Sequence, residues 1–204
     1  MTEIVLNELL IASNNHGKIV EISDLLSELA VRIVTPESLG LEFEVEESGQ
    51  TYSENAALKA SAYARATGLT ALADDTGLEV KALNGAPGLH SKRFASHPGA
   101  TDADRRALLI SRLSPYPPPW EARFYCVVAV VDPRGEVFLS EGECRGEIVA
   151  EERGHNGFGY DAIFLLEGIG LTMAELDLEN KNLVSHRARA VMAALPRLKT
   201  LLNR

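Results

Sequence analysis

The stretch that most constrains this chain is Ala71-Leu72-Ala73-Asp74-Asp75-Thr76-Gly77. An apolar run of this kind reads as a buried strand, and two adjacent acids leave it at a glycine-containing turn. An ionised carboxylate is not tolerated in an apolar interior without a partner, so such a strand delivers its acids to the edge of a site. Neighbouring residues of an extended chain point to opposite faces, so one acid can face the site while the other serves the structure. A second stretch, Gly157-Phe158-Gly159-Tyr160-Asp161, threads an aromatic between glycines, which suits backbone lying close to a flat ligand.

Around these stretches the periodicity sets out a mixed order. Leu9 to Ser13 reads as a short buried strand running into the polar turn Asn14-Asn15-His16-Gly17-Lys18. Ile19, Ile22, Leu26 and Leu29 then recur at helical spacing, and Arg32 to Val34 is a second short strand. Thr51 and Glu54 have the spacing of a capping box ahead of an alanine-rich helix over 52–66, stopped by Gly68. A strand over 71–73 ends at the acid pair, and a helix opens at Thr101-Asp102-Ala103-Asp104. After the proline-rich Ser114–Trp120, the segments 124–131 and 137–149 form a hairpin, followed by a strand over 162–166. A final helix is capped by Ser185 and bends or ends near Pro196. Strand–helix alternation, then a hairpin, then helix predicts an α/β fold with a mixed sheet.

Length and composition narrow the function classes. A chain of 204 residues is one large domain or two intimate lobes, and 46% hydrophobic with 24% charged residues is ordinary for a soluble protein. A net charge of -9 argues against a general nucleic-acid or anionic-membrane surface. No apolar run approaches the roughly 18 residues that cross a bilayer. Met1-Thr2-Glu3 lacks the basic start of a signal peptide, so the cytoplasm is the default compartment. Cys126 and Cys144 are expected reduced and structural.

Several polar clusters could carry chemistry. Glu46 and Glu47 lie in an acidic turn and, with Asp74 and Asp75, offer the hard oxygen ligands that suit Mg²⁺; the same residues also read as solvated turn acids. Lys18 follows a strand–turn–helix junction, where backbone N–H groups favour anions, although the segment is not a P-loop. Asn55 and Lys59, spaced i, i+4, share a helix face. Phe158, bounded by glycines, could stack on a base, with Tyr160 and Asp161 beside it. Lys181-Asn182 and Ser185-His186-Arg187 open the last helix, where basic residues run against the helix dipole and so hint at a ligand. His186 lacks a second histidine or cysteine at ligand spacing, so zinc is disfavoured.

Taken in order, these motifs resemble the inosine triphosphate pyrophosphatase family of house-cleaning nucleotide hydrolases. The matching stretches are Ser13-Asn14-Asn15-His16-Gly17-Lys18, Glu54 to Ala60, Ala73 to Leu78, Gly85 to Phe94, Gly157 to Asp161, Ala174-Glu175-Leu176, and Lys181-Asn182 with Ser185-His186-Arg187. Three positions depart from the pattern: Thr76 stands where serine is usual, Ala162 where proline is common, and Lys92 where alanine is frequent. None removes a proposed catalytic group.

The resemblance implies a single domain over 1–204, α/β, with a long curved mixed β-sheet, flanking helices and two lobes around a central active-site cleft. It further implies a homodimer and Mg²⁺-dependent hydrolysis of ITP, dITP and XTP to monophosphate and pyrophosphate. On that resemblance Asp75 activates the attacking water, and Glu46 or Glu47 with Asp75 and Asp74 holds the metal. Ser13, Asn14, Asn15, His16, Gly17, Lys18, Lys59 and Thr76 attend the triphosphate. Phe158, Gly159, Tyr160, Asp161, Lys181, His186 and Arg187 attend the base and ribose, Arg187 or a backbone N–H reading the 6-keto group. Three rivals stay open: a Maf-like nucleotide pyrophosphatase with another base preference, a nucleotide sensor without turnover, and a nucleic-acid binder using Arg187, Arg189 and Arg197.

Overall fold

The computed structural model describes residues 7–202, so the triplet Met1-Thr2-Glu3 lies outside the described residues. In chain order the elements are β1 (Asn7–Ile11), α1 (His16–Leu25), β2 (Val31–Val34), α2 (Tyr52–Thr67), β3 (Thr70–Val80), β4 (Pro87–Gly88), α3 (Asp102–Leu113), β5 (Trp120–Val131), β6 (Val137–Ile148), β7 (Phe164–Leu166), α4 (Leu178–Val184) and α5 (His186–Leu202), with short 3₁₀ turns between some of them. The strands form one seven-stranded sheet in the order β2-β1-β3-β5-β6-β7, with β4 also paired to β3. β1 runs parallel to β2 and to β3, whereas β4 is antiparallel to β3 and β7 to β6. The sheet is therefore mixed, as the strand–helix–hairpin order predicts.

Several elements differ from the periodicity. β3 does not stop at the acids; it runs eleven residues, with Asp74 and Asp75 in its middle. Its burial pattern is almost continuous through both acids, because each carboxylate meets cationic or amide partners that make a buried position tolerable. α5 continues through Pro196 to Leu202, although proline lacks the N–H that would bond one turn back. Lys181 and Asn182, expected to open the last helix, lie in the separate α4, and β7 begins only at Phe164, after a 3₁₀ turn over Asp161–Ile163. Thr51 and Glu54 form a capping box at the start of α2, Gly68 closes it, and Thr101 with Asp104 does the same for α3. Both cysteines are buried and are not joined in a disulfide. Among the described residues no helix is long and apolar enough to cross a membrane.

Residue contacts divide the chain into two compact units: Met1–Asp75 with Cys126–Gly142 and Arg187–Arg204, and Thr76–Tyr125 with Glu143–His186. The divisions fall inside β3, β5 and β6 and at the first residue of α5. The first unit packs Leu9, Ile11, Leu72, Val128 and Val130 of its strands against Ile22 of α1, Leu26 just after it, and Val191, Ala194 and Leu198 of α5. Those helix positions recur every three or four residues, which is why one face of each helix is apolar. The second unit packs Leu78, Val80, Phe124, Cys144 and Ile148 against Leu109 and Leu113 of α3 and against Ile163, Phe164 and Met173. Each fully buried aliphatic or aromatic side chain contributes about 1.5–3 kcal/mol.

Candidate functional site

In the first unit, β3 presents its two acids to different partners, as alternation along a strand requires. Asp74 Oδ2 lies 3.0 Å from Lys18 Nζ and accepts from Arg187 Nε at 3.1 Å, with Cys126 Sγ at 3.9 Å. Asp75 Oδ2 accepts from Asn55 Nδ2 at 3.1 Å, and its Oδ1 lies 3.9 Å from Lys59 Nζ. Lys59, on α2, also donates to Glu47 Oε1 at 3.0 Å and to the Asp74 carbonyl at 2.5 Å. The i, i+4 spacing of Asn55 and Lys59 is what lets one helix face meet both Asp75 and Glu47.

The electrostatics separate the acids. Burial pushes the Asp74 carboxyl upward, but Lys18, Arg187 and Lys59 together outweigh it and hold the group well below the usual carboxylate range. Asp75 moves the other way: burial raises it above the ordinary value, and the pull of Lys59 and Lys18 does not cancel that. A carboxylate raised in this way is better matched to accept a proton near neutral pH. Burial lowers Lys18 despite Asp74, aided by the like charges of Lys59 and Arg187. Burial also pulls on Lys59, but Asp74, Asp75 and Glu47 overcome it and raise the group.

Glu47 and Asp75 are thus hard oxygen donors that converge on a cation, the Lys59 ammonium. Glu46 is exposed, and Asp74 Oδ2 is already met by two cationic side chains. No group of three histidine, cysteine or acidic residues among the described residues is arranged to hold a metal. Two carboxylates still fit Mg²⁺, which keeps several waters and shares its remaining positions with substrate phosphates.

The strand–turn–helix junction is organised by its own side chains. Ser13 Oγ accepts from Asn15 N–H at 3.2 Å, and Asn15 Oδ1 caps α1 by accepting from Lys18 N–H at 3.1 Å. The backbone cradle expected over Asn14 to Lys18 therefore has two of its N–H groups engaged within the turn. The N–H groups of His16 and Gly17 belong to the first helical turn, which has no intrahelical acceptors. Asn14 and His16 are exposed at this turn.

Arg187, expected to read the base, sits in the unit of Asp74. Its side chain is buried, and its guanidinium bonds to Asp74 and, through a close Nη1 contact, to Glu21 of α1. Glu21 carries no site signal by composition, but it stands three residues after Lys18, on the same face of α1.

The second unit holds the other cluster. Lys181 Nζ is 2.6 Å from Asp161 Oδ2, with both side chains buried, and lies 5.1 Å from the centre of the half-exposed Phe158 ring. Phe158 N–H donates to the same Asp161 oxygen at 2.8 Å. Gly157 has φ +72°, and a Cβ there would come within 2.1 Å of Asp161 Oδ2, so both the conformation and the space demand glycine. Tyr160 is buried, and its hydroxyl donates to the Ser91 carbonyl at 2.9 Å. The His186 ring stacks on Phe124 with centroids 4.6 Å apart. Thr76 is the first residue of this unit and half-buried. Reading the sequence misses Asp102 and Arg106 of α3, which bond to Gly159 N–H and C=O. Their only sequence signal is i, i+4 spacing just after a helix cap.

Known proteins resemble this chain along nearly its whole length. A sequence model of the Ham1 family matches residues 9–197. A dITP/XTP pyrophosphatase of Desulforamulus reducens is 44% identical over 195 residues, covering 95% of this chain and 96% of that protein. Among solved structures, a HAM1 protein from Coxiella burnetii superposes with a TM-score of 0.85 at 38% identity, covering 96% of this chain and 100% of that one. A nucleoside-triphosphatase / dITP/XTP pyrophosphatase from Mycobacterium abscessus superposes with a TM-score of 0.73 at 42% identity, covering 93% and 99%. Matched along nearly its whole length by sequence and by fold, this chain belongs to the Ham1 family.

Proposed function

We propose that this protein hydrolyses deaminated purine nucleoside triphosphates, ITP, dITP and XTP, to the monophosphate and pyrophosphate. The observation that carries the reading is the way β3 presents its acids: Asp74 is held charged among Lys18 and Arg187, while Asp75 is raised and oriented by Asn55 beside Lys59. Asp75 accepts the proton of a water attacking the α-phosphorus. Asn55 fixes the carboxylate by donating to one of its oxygens. Lys18 and Lys59 exchange their carboxylate partners for phosphate oxygens when the triphosphate arrives. Asp74 anchors the Lys18 end of that exchange. Glu47 and Asp75 would hold Mg²⁺, which when bound neutralises phosphate charge and polarises the water.

Base selection falls to Phe158 and Lys181. Phe158 stacks on the purine, and Lys181, held by Asp161, offers a fixed donor to the 6-keto group that inosine and xanthine carry where adenine has an amino group. A site built to hydrogen-bond one group rejects its analogue strongly. The chain acts as one domain over 1–204, as a cytoplasmic homodimer, a state that light scattering of the purified protein tests.

The deciding assay is pyrophosphate release from ITP, XTP, dITP, ATP, GTP and dTTP, with Mg²⁺ and with EDTA. Metal-dependent conversion of ITP and XTP, with ATP and GTP slow, is the expected result. Preference for dTTP would move the protein to the Maf-like class, and binding without turnover would make it a sensor. Asp75→Asn should nearly abolish turnover with the fold intact; near-normal turnover would remove Asp75 from the proton-accepting role.

A further inference from the structure

The loop that carries Phe158 is gripped from outside by one turn of α3. Asp102 Oδ2 accepts from Gly159 N–H at 2.7 Å, and Arg106 Nη1 donates to the Gly159 carbonyl at 2.9 Å. The two side chains stand at i, i+4 on one face of the helix, so both polar backbone groups of one residue are met by a single rigid element. Each holding group is itself held. Arg106 makes a two-pronged bridge to Glu152, at 2.8 Å through both Nε and Nη2, and Asp102 Oδ1 contacts Arg105. These are charge-assisted bonds, stronger than neutral ones.

Gly159 needs such a grip. Its φ is +64°, and the space where a Cβ would point is open, so surrounding atoms do not confine it. On the other side of Phe158, the N–H of Phe158 itself is tied to Asp161, which Lys181 locks by ion pairing. The aromatic residue is therefore bracketed by fixed backbone before and after, while its ring stays half-exposed.

We propose that Asp102 and Arg106 are positioning residues for base recognition, holding Gly159 so that the Phe158 ring meets a purine in one orientation. This rests on the reading of Phe158 as the base-stacking residue. Neither side chain touches the substrate; both act by removing the freedom the loop would otherwise lose on binding.

The test is a mutant cycle read by steady-state kinetics on ITP with the full-length protein: Asp102→Ala, Phe158→Ala, the double variant, and Asp102→Asn. Asp102→Ala should raise KM about tenfold, the order of one base stack, with kcat within about twofold of the parent. Asp102→Asn, which keeps an acceptor oxygen for Gly159 N–H, should recover most of the loss. In the Phe158→Ala background, Asp102→Ala should add little, because the ring it positions is gone. If Phe158→Ala raises KM but Asp102→Ala does not, the positioning role is wrong and the stacking role stands. Effects that multiply in the double variant would place the action of Asp102 elsewhere and overturn the proposal. An unchanged KM in Phe158→Ala would remove the stacking role and the proposal with it. Should Asp102→Ala fail to fold, Arg106→Met runs the same cycle with the same outcomes.

Discussion

Replacing Arg187 by methionine should cost the fold more than the choice of base. Arg187, Asp74 and Glu21 are 1%, 2% and 3% exposed, so this is a buried cation shared by two buried carboxylates. Methionine fills most of the volume and removes the charge. Asp74 then keeps Lys18 at 3.0 Å, but Glu21 loses the guanidinium that meets its carboxylate. Breaking a buried ion pair from one side costs about 3–5 kcal/mol. For a chain of this size each kcal/mol moves the melting temperature by about 2–4 °C, so the expected fall is about 6–20 °C. Calorimetry or thermal circular dichroism of the two proteins side by side reads it directly. A second replacement, Glu21→Met in the Arg187→Met background, should return most of the loss, because a buried pair exchanged for apolar side chains of similar volume is often neutral. A single variant melting within about 2 °C of the parent would refute the reasoning. If that variant also lost its preference for ITP over ATP, Arg187 would be a reader of the base after all.

The remaining expectations are simpler to state. Asp75→Asn should stabilise the metal-free protein at pH 7: the folded-state carboxyl is raised above its ordinary value, so its contribution is fully present below that ordinary value and lost as pH rises through the raised one. The gain in melting temperature, measured in EDTA, should shrink toward zero as the pH is lowered to about 4, and a gain independent of pH would contradict it. Gly157→Ala should destabilise by more than 1 kcal/mol and raise KM for ITP, since the added Cβ meets Asp161 and Lys181 and the φ is positive; urea unfolding with unchanged m-value and midpoint would show the space to be more yielding. Lys181→Met should lower the preference for ITP over ATP by roughly tenfold or more, and an unchanged ratio would place the 6-keto donor on another residue.

Local chemistry decided much of this protein before any tertiary contact was known. Thr51 and Glu54 specify the start of α2 because both capping bonds lie within one turn. Phe158 between glycines and the acid pair at Asp74 and Asp75 mark unusual backbone and unusual charge, and both are visible in a handful of consecutive residues. The length of β3 was not legible, since its acids resemble a strand end until Lys18, Arg187, Asn55 and Lys59 are seen to meet them. Nor were the partners of Arg187. Its position at a helix start suggests a ligand, but the partners that claim it, Asp74 and Glu21, stand 113 and 166 residues away. The grip of Asp102 and Arg106 on Gly159 is hidden for the same reason, with 57 and 53 residues between the partners. Helices, turns and candidate residues follow from the sequence, because caps, glycines and apolar spacing act over a few residues. Which acid is held charged, which is raised, and which arginine is buried against two carboxylates belong to the tertiary fold, because burial and charge pairing depend on groups that only folding brings within a few ångströms.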